Sequence, residues 1–139
     1  MAITGTRKLK IEVDGTEYTT AVSNCRVTSA EADSDFTTFA DAAAGGARQY
    51  QLVGTAGQDY AADSFWDVMY SQAGTDLAVT IMPEGNASPS ASQPHFTTTA
   101  TIQEPDGDLL GGEANKSLTA KFTFDFAFDC TRPVRDTGV

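Results

Sequence analysis

Histidine is almost missing: His95 is the only one in 139 residues. Any site that needs two imidazoles is excluded, and a hydrolytic triad needs a base beside its nucleophile. His95 follows Pro94 at a strand start, where a surface or strand-edge position is expected. Cysteine is nearly as scarce. Cys25 and Cys130 with one histidine fall short of the four ligands of a structural zinc site. A disulfide between them would close most of the chain, but the N-terminal run MAITGTRKLKIEV has no apolar core of a secretory signal. Two reduced, half-buried thiols are therefore expected. Cations are few, with 9 Lys plus Arg against 19 Asp plus Glu and a net charge of −10. Gripping a phosphate backbone needs clustered cations, so nucleic-acid binding is disfavoured. No apolar run approaches the roughly 18 residues of a membrane span. A phosphate loop is absent too, since Gly111-Gly112 is followed by Glu113. Asp106 and Asp108 open like a calcium loop, but position five is Leu110 and position twelve is Ser117, so the EF-hand pattern fails. Only a weak oxygen-only site at Asp106, Asp108 and Glu113 survives as a candidate. No catalytic constellation emerges, and a non-enzymatic role without cofactor or metal is expected.

What is present is acidic and β-rich. Hydrophobic residues make up 40% and charged residues 20%, as in one globular domain of this length. From Val27 to Asn115 there are thirteen acids and one base, Arg48, while the other bases sit near the two ends. Such a field repels polyanions, solubilises the surface, or meets a basic patch, including the basic termini of a neighbouring copy.

Period two dominates the chain. In Ser117 to Asp129, Leu118, Ala120, Phe122, Phe124, Phe126 and Phe128 share one face of a long predicted strand. Leu9, Ile11 and Val13 alternate with Lys8, Lys10 and Glu12. Asp14-Gly15 then turns the chain into a returning strand from Glu17 to Val22. Further strands are predicted at Cys25–Asp33, Arg48–Gly57, Asp76–Met82 and His95–Glu104. Gly54 and Gly57 suggest a bulge or a frayed end. The chain holds 19 threonines, a strand-favouring residue.

One helix is predicted, opening at Ser64 or Asp63 as cap and closing before Gly74. Ser34 to Ala47 and Pro83 to Pro94 read as loops, and residues 1–6 and 131–139 as flexible termini. The whole, residues 1–139, reads as a single domain. Its fold class is mainly β: antiparallel sheets in a β-sandwich or barrel-like arrangement with one short α-helix packed on the sheet.

The order of these elements resembles the major tail tube protein of long-tailed, siphovirus-type bacteriophages. The likeness rests on the helix FWDVMYSQAG, the strands LAVTIMPEGN and FTTTATIQ, and the closing run GGEANKSLTAKFTFDFAFDC. It covers about Leu9 to Cys130. Many members of that family carry an extra C-terminal immunoglobulin-like domain, for which this chain ends too soon. The resemblance implies rings, usually of six, stacked into a tube for DNA ejection. It implies strands lent to a shared inner barrel and a long loop reaching the next ring. That loop is Ser34 to Ala47, with Asp35, Phe36, Phe39, Asp41 and Arg48 as inter-ring candidates. The candidate lumen residues are Thr97, Thr99, Thr101, Thr119, Thr123 and Asp125. The implied partners are further copies of the chain and other tail proteins, such as terminator, tip or tape-measure proteins. DNA would pass without specific binding. The implied place is the virion tail, assembled in the bacterial host cytoplasm, with no membrane partner. Two other readings stay open: a capsid decoration or head–tail connector protein, and a soluble ligand-binding β-sandwich with Trp66 and Tyr70 as a stacking platform.

Overall fold

A computed structural model describes residues 4–5, 7–31, 38–43, 48–114 and 116–138, with the side chain of Asp41 not described. Asp35, Phe36, residues 1–3 and 6, and residues 44–47 therefore lie outside the described residues, as does the side chain of Asp41.

Strand β1 (Lys10–Val13) turns back into the two-residue β2 (Thr16–Glu17). Both turn residues lie at positive φ, Asp14 at 51° and Gly15 at 82°, the geometry of a type I′ hairpin. The expected return strand to Val22 is not formed. Tyr18 instead starts a turn, its carbonyl accepting from the N–H groups of Ala21 and Val22. Next come β3 (Val22–Glu31), the one-turn helix α1 (Phe39–Ala43) and β4 (Arg48–Gly57). The long predicted loop thus contains a short helix. Helix α2 (Phe65–Ser71) follows, then β5 (Asp76–Met82), β6 (His95–Thr101), β7 (Thr123–Cys130) and β8 (Val134–Asp136).

The strands form one antiparallel 8-stranded sheet in the order β2-β1-β5-β6-β7-β4-β3, with β8 also paired to β6. The fold is mainly β. Alternation puts Phe124, Phe126 and Phe128 of β7 inside, beside Leu52 and Ala56 of β4 and Ala100 of β6. Ile11 and Val13 of β1, from the far end of the strand order, belong to the same buried cluster. The sheet therefore curls until its two ends share a core, as a barrel-like architecture requires.

Helix α2 plugs the open side. Ser64 caps it, with Oγ accepting from the Asp67 N–H at 3.1 Å, and the Asp67 carboxylate accepts from the Asp63 N–H at 3.0 Å. Phe65 and Met69, on one helical stripe, are buried. The indole of Trp66 donates to the Leu109 carbonyl at 2.9 Å and ties the helix to the long β6–β7 connection.

Two expectations about the chain's last third are corrected. The strand predicted from Ser117 begins only at Thr123, so Leu118 is 99% exposed and Phe122 47%. The reason is partner length: β4 pairs with β7 as far as Gly57↔Thr123, and after one further bond, from the Gln58 N–H to the Phe122 carbonyl, no ladder continues among the described residues. The expected open tail after Thr131 instead carries β8, paired with β6 at His95↔Asp136, Phe96↔Arg135 and Thr97↔Val134. Between the two pairings Thr131 bridges the gap. Its N–H donates to Thr99, its carbonyl accepts from the buried Thr98 hydroxyl at 2.6 Å, and its hydroxyl accepts from the Thr99 N–H at 3.1 Å.

Candidate functional site

The face of the sheet turned away from α2 is a polar ladder. Residues in register across an antiparallel pair share a face. One row crosses five strands as Thr28, Gln51, Asp129, Thr101 and Asp76. A second runs Asn24, Thr55 and Asp125. The acids are held by neutral donors: Thr55 to Asp125 at 2.7 Å, Thr101 to Asp76 at 2.7 Å and Gln51 to Asp129 at 3.1 Å. Thr99 stands opposite Ala78, and Thr97 opposite Thr80. Of the six residues expected to face a lumen, Thr97, Thr99, Thr101, Thr123 and Asp125 share this face. Thr119 lies outside the strands, in the irregular run before β7.

The segment Gln103–Asp108 leans over this face and encloses a cleft of about 740 Å³ with Asp125 and Asp129 on its floor. Glu104, Asp106 and Asp108 stand on its rim, with Arg26 as the one base in its lining. Sequence patterning did not reveal this overhang, because it arises where β6 ends at Thr101 and the chain must cross β7. Among the described residues no group of three or more His, Cys, Asp or Glu is placed to hold a metal ion, so Asp106, Asp108 and Glu113 do not converge.

The opposite side of the curl leaves a second opening, a largely apolar groove of about 390 Å³. It lies at the seam where β1 and β5 approach β3 and β4, lined by Leu9, Cys25, Val27, Tyr50, Ile81 and Phe96. Arg132 completes the wall. Arg48, an expected inter-ring residue, is at its mouth: its guanidinium donates twice to the Ser29 hydroxyl, at 3.1 and 3.0 Å, and Ser29 lines the groove. Phe39, also an expected inter-ring residue, stands on α1 with 97% exposure.

The other candidates resolve as follows. His95 is not at the surface: it is 7% exposed, with Nε2 2.8 Å from the Asn86 carbonyl oxygen. Its strand start is covered by the Asn86 turn, which explains the burial. Trp66 and Tyr70 stack on each other at 5.1 Å with 7° between planes, and Tyr60 meets the indole edge-on at 4.8 Å. Trp66 thus spends one ring face and its N–H inside the protein, which weakens its use as a ligand platform. Both cysteines are free. Burial pushes the Cys25 thiol up from 9.0 to about 11. Cys130 is raised as well, chiefly by burial and further by Asp129, against a hydrogen bond with Thr98.

These thiols give a pH prediction. A raised folded pKa means that the unfolded chain loses its proton first, so stability is full below pH 9 and falls as pH climbs toward about 11. Between about pH 8 and about pH 10.5 the urea midpoint should drop, and Cys25→Ala should flatten part of that drop. Cys130 and Tyr18 are raised in the same direction and account for the remainder.

No helix among the described residues is long and apolar enough to cross a membrane. Comparison with known proteins finds no matching family model and no matching curated protein.

Proposed function

We propose that this chain is a structural virion protein, a subunit of a phage tail tube that works by associating with copies of itself. The observation that carries the reading is the polar ladder. Hydroxyls, amides and carboxylates predominate on one face of a curled sheet whose other face is core, interrupted by the row Arg26, Val53 and Ala127 and by Ala78. A wall that lets DNA slide should offer few cations to phosphate, and this face presents Asp76, Asp125 and Asp129, with Glu104, Asp106 and Asp108 overhanging. The long edge strand β3 supports association in the same sense, because a ten-residue edge with no second strand beside it among the described residues invites pairing unless it is covered. In this reading the copies close into rings, with six copies the stoichiometry that the family resemblance implies, and the rings stack. Terminator, tip or tape-measure proteins would meet the tube ends in the virion tail.

Electron micrographs of the purified chain at rising concentration test it, together with sedimentation. Stacked rings with a central channel are the expected result. Isolated rings or trimers would favour the connector or decoration reading, and monomers under every condition would overturn self-assembly altogether.

A further inference from the structure

We propose that the seam beside β3 is a docking trough for an extended segment of a different protein, one that alternates apolar with acidic side chains. This role goes beyond self-assembly and does not depend on it. One edge of β3 pairs with β4, and the other has no strand beside it among the described residues. Two hollows lie along that bare edge. The first, of about 510 Å³, separates Arg7, Leu9 and Ile11, on and just before β1, from the β3 residues Val22 to Arg26. The second is the seam groove of about 390 Å³, and Leu9 and Cys25 line both. Together they follow β3 from Val22 to Ser29, roughly 26 Å of strand. A hollow drawn out along a bare strand edge suits a peptide better than a compact ligand, because the edge offers main-chain N–H and C=O groups to a strand laid against it.

The side chains select the peptide. A strand beside β3 alternates in step with it. Cys25 and Val27 turn toward the core and are half-buried, and Leu9, Tyr50 and Phe96 complete an apolar wall. These positions take apolar partners. Arg26, between them in sequence, is exposed on the opposite face, where an acid across the pair is favoured. Arg7 lines the first hollow and Arg132 the second. Among the described residues no acid lines either hollow, although the chain holds 19 Asp plus Glu. No hydrogen bond or ion pair with another described residue holds the guanidinium of Arg7, Arg26 or Arg132. The one acid of β3, Glu31, stands past the trough, opposite Arg48. The chain's own exposed alternating run, Leu118 to Phe122, carries Lys121 and follows Lys116, so a second copy offered through it would bring like charge.

The test uses the full chain below its assembly concentration and follows fluorescein-labelled peptides by anisotropy. The probes are EVDVEVDV, the charge-reversed KVKVKVKV, and EVDPEPDV, whose prolines remove two main-chain donors. EVDVEVDV is expected to bind, and the other two about tenfold or more weakly. Arg26→Glu combined with Arg132→Glu, both at exposed positions, should cost about tenfold in binding of EVDVEVDV, favour KVKVKVKV, and leave the circular dichroism spectrum intact. Hydrogen exchange should slow along residues 22–29 when EVDVEVDV is added. Equal binding of the proline peptide overturns strand pairing. Equal binding of the two charge forms, or an unchanged affinity in the double variant, overturns the acidic partner. Slow exchange along β3 in the free monomer overturns the site, because the chain's own residues then cover the edge. Protection that rises with protein concentration and excludes the peptide assigns the edge to a second copy instead, which overturns the proposal and leaves self-assembly standing.

Discussion

Phe65→Ala is expected to destabilise the domain by about 3–5 kcal/mol, the range for removing a fully buried phenylalanine. Phe65 is 2% exposed and lies where helix meets sheet. Its ring centroid is 4.9 Å from Phe126, 6.0 Å from Phe124, 6.2 Å from Phe128 and 5.5 Å from Tyr18. One side chain thus touches three successive inward residues of β7 and the turn after β2. Deleting it opens a cavity bordered by rings that cannot all move inward, because each is fixed by its own strand. The helix has seven residues, too short to persist without packing, so its anchoring is lost with the ring. Urea unfolding followed by far-UV circular dichroism measures the effect. Tyr70→Ala on the exposed side of the same helix should cost far less, and equal losses would mean that α2 is not held through Phe65.

How far the fold could be read from the sequence depends on whether a residue's neighbours are local. Asp76–Met82 and Arg48–Gly57 alternate and have partners along their whole length, so both strands appear with the predicted bounds. Ser64 and Asp67 signal the helix start because capping is a three-residue affair. Leu118 and Phe122 alternate just as well as Phe124 and Phe126, yet they are exposed, since the β4 ladder ends at Thr123 and reaches Phe122 only through the Gln58 N–H. Period two marks what a segment prefers, and pairing decides whether it gets it. His95 shows the same limit from the other side. Its burial comes from the Asn86 turn, whose path no pattern in the run Pro83 to Pro94 foretold. Of the candidate surface, the threonine and aspartate alternation of β6 and β7 was legible as one wet face each. Their fusion into rows across five strands was not, because register is set by bulges and by the curl. The seam groove was least legible, since Leu9, Val27 and Phe96 meet there only after the sheet has curled.

Gly54→Ala carries the sharpest test of that register. In a strand interior, glycine to alanine usually helps slightly, because glycine loses more backbone freedom on folding. Here the opposite is expected, a loss of about 1–3 kcal/mol from overpacking. The pairing of β3 with β4 slips between Val22 and Asn24, which leaves Ser23 as an extra residue and pushes the Asn24 carbonyl over Gly54. A Cβ built on Gly54 would collide with that carbonyl oxygen and stand 2.7 Å from Cζ of Phe126. Relief requires β3 to lift from β4 or Phe126 to leave its place among the β7 rings. Gly57, three positions on, looks equivalent in the sequence, but a Cβ there meets only the Ala21 carbonyl at 3.8 Å. Gly57→Ala should therefore be neutral or stabilising by a few tenths of a kcal/mol. Opposite signs for the two substitutions in parallel urea titrations would show that the bulge packs against Gly54. Equal effects would mean that the β3–β4 register differs from the one described, and with it the placing of Arg26 and Thr28 on the polar face.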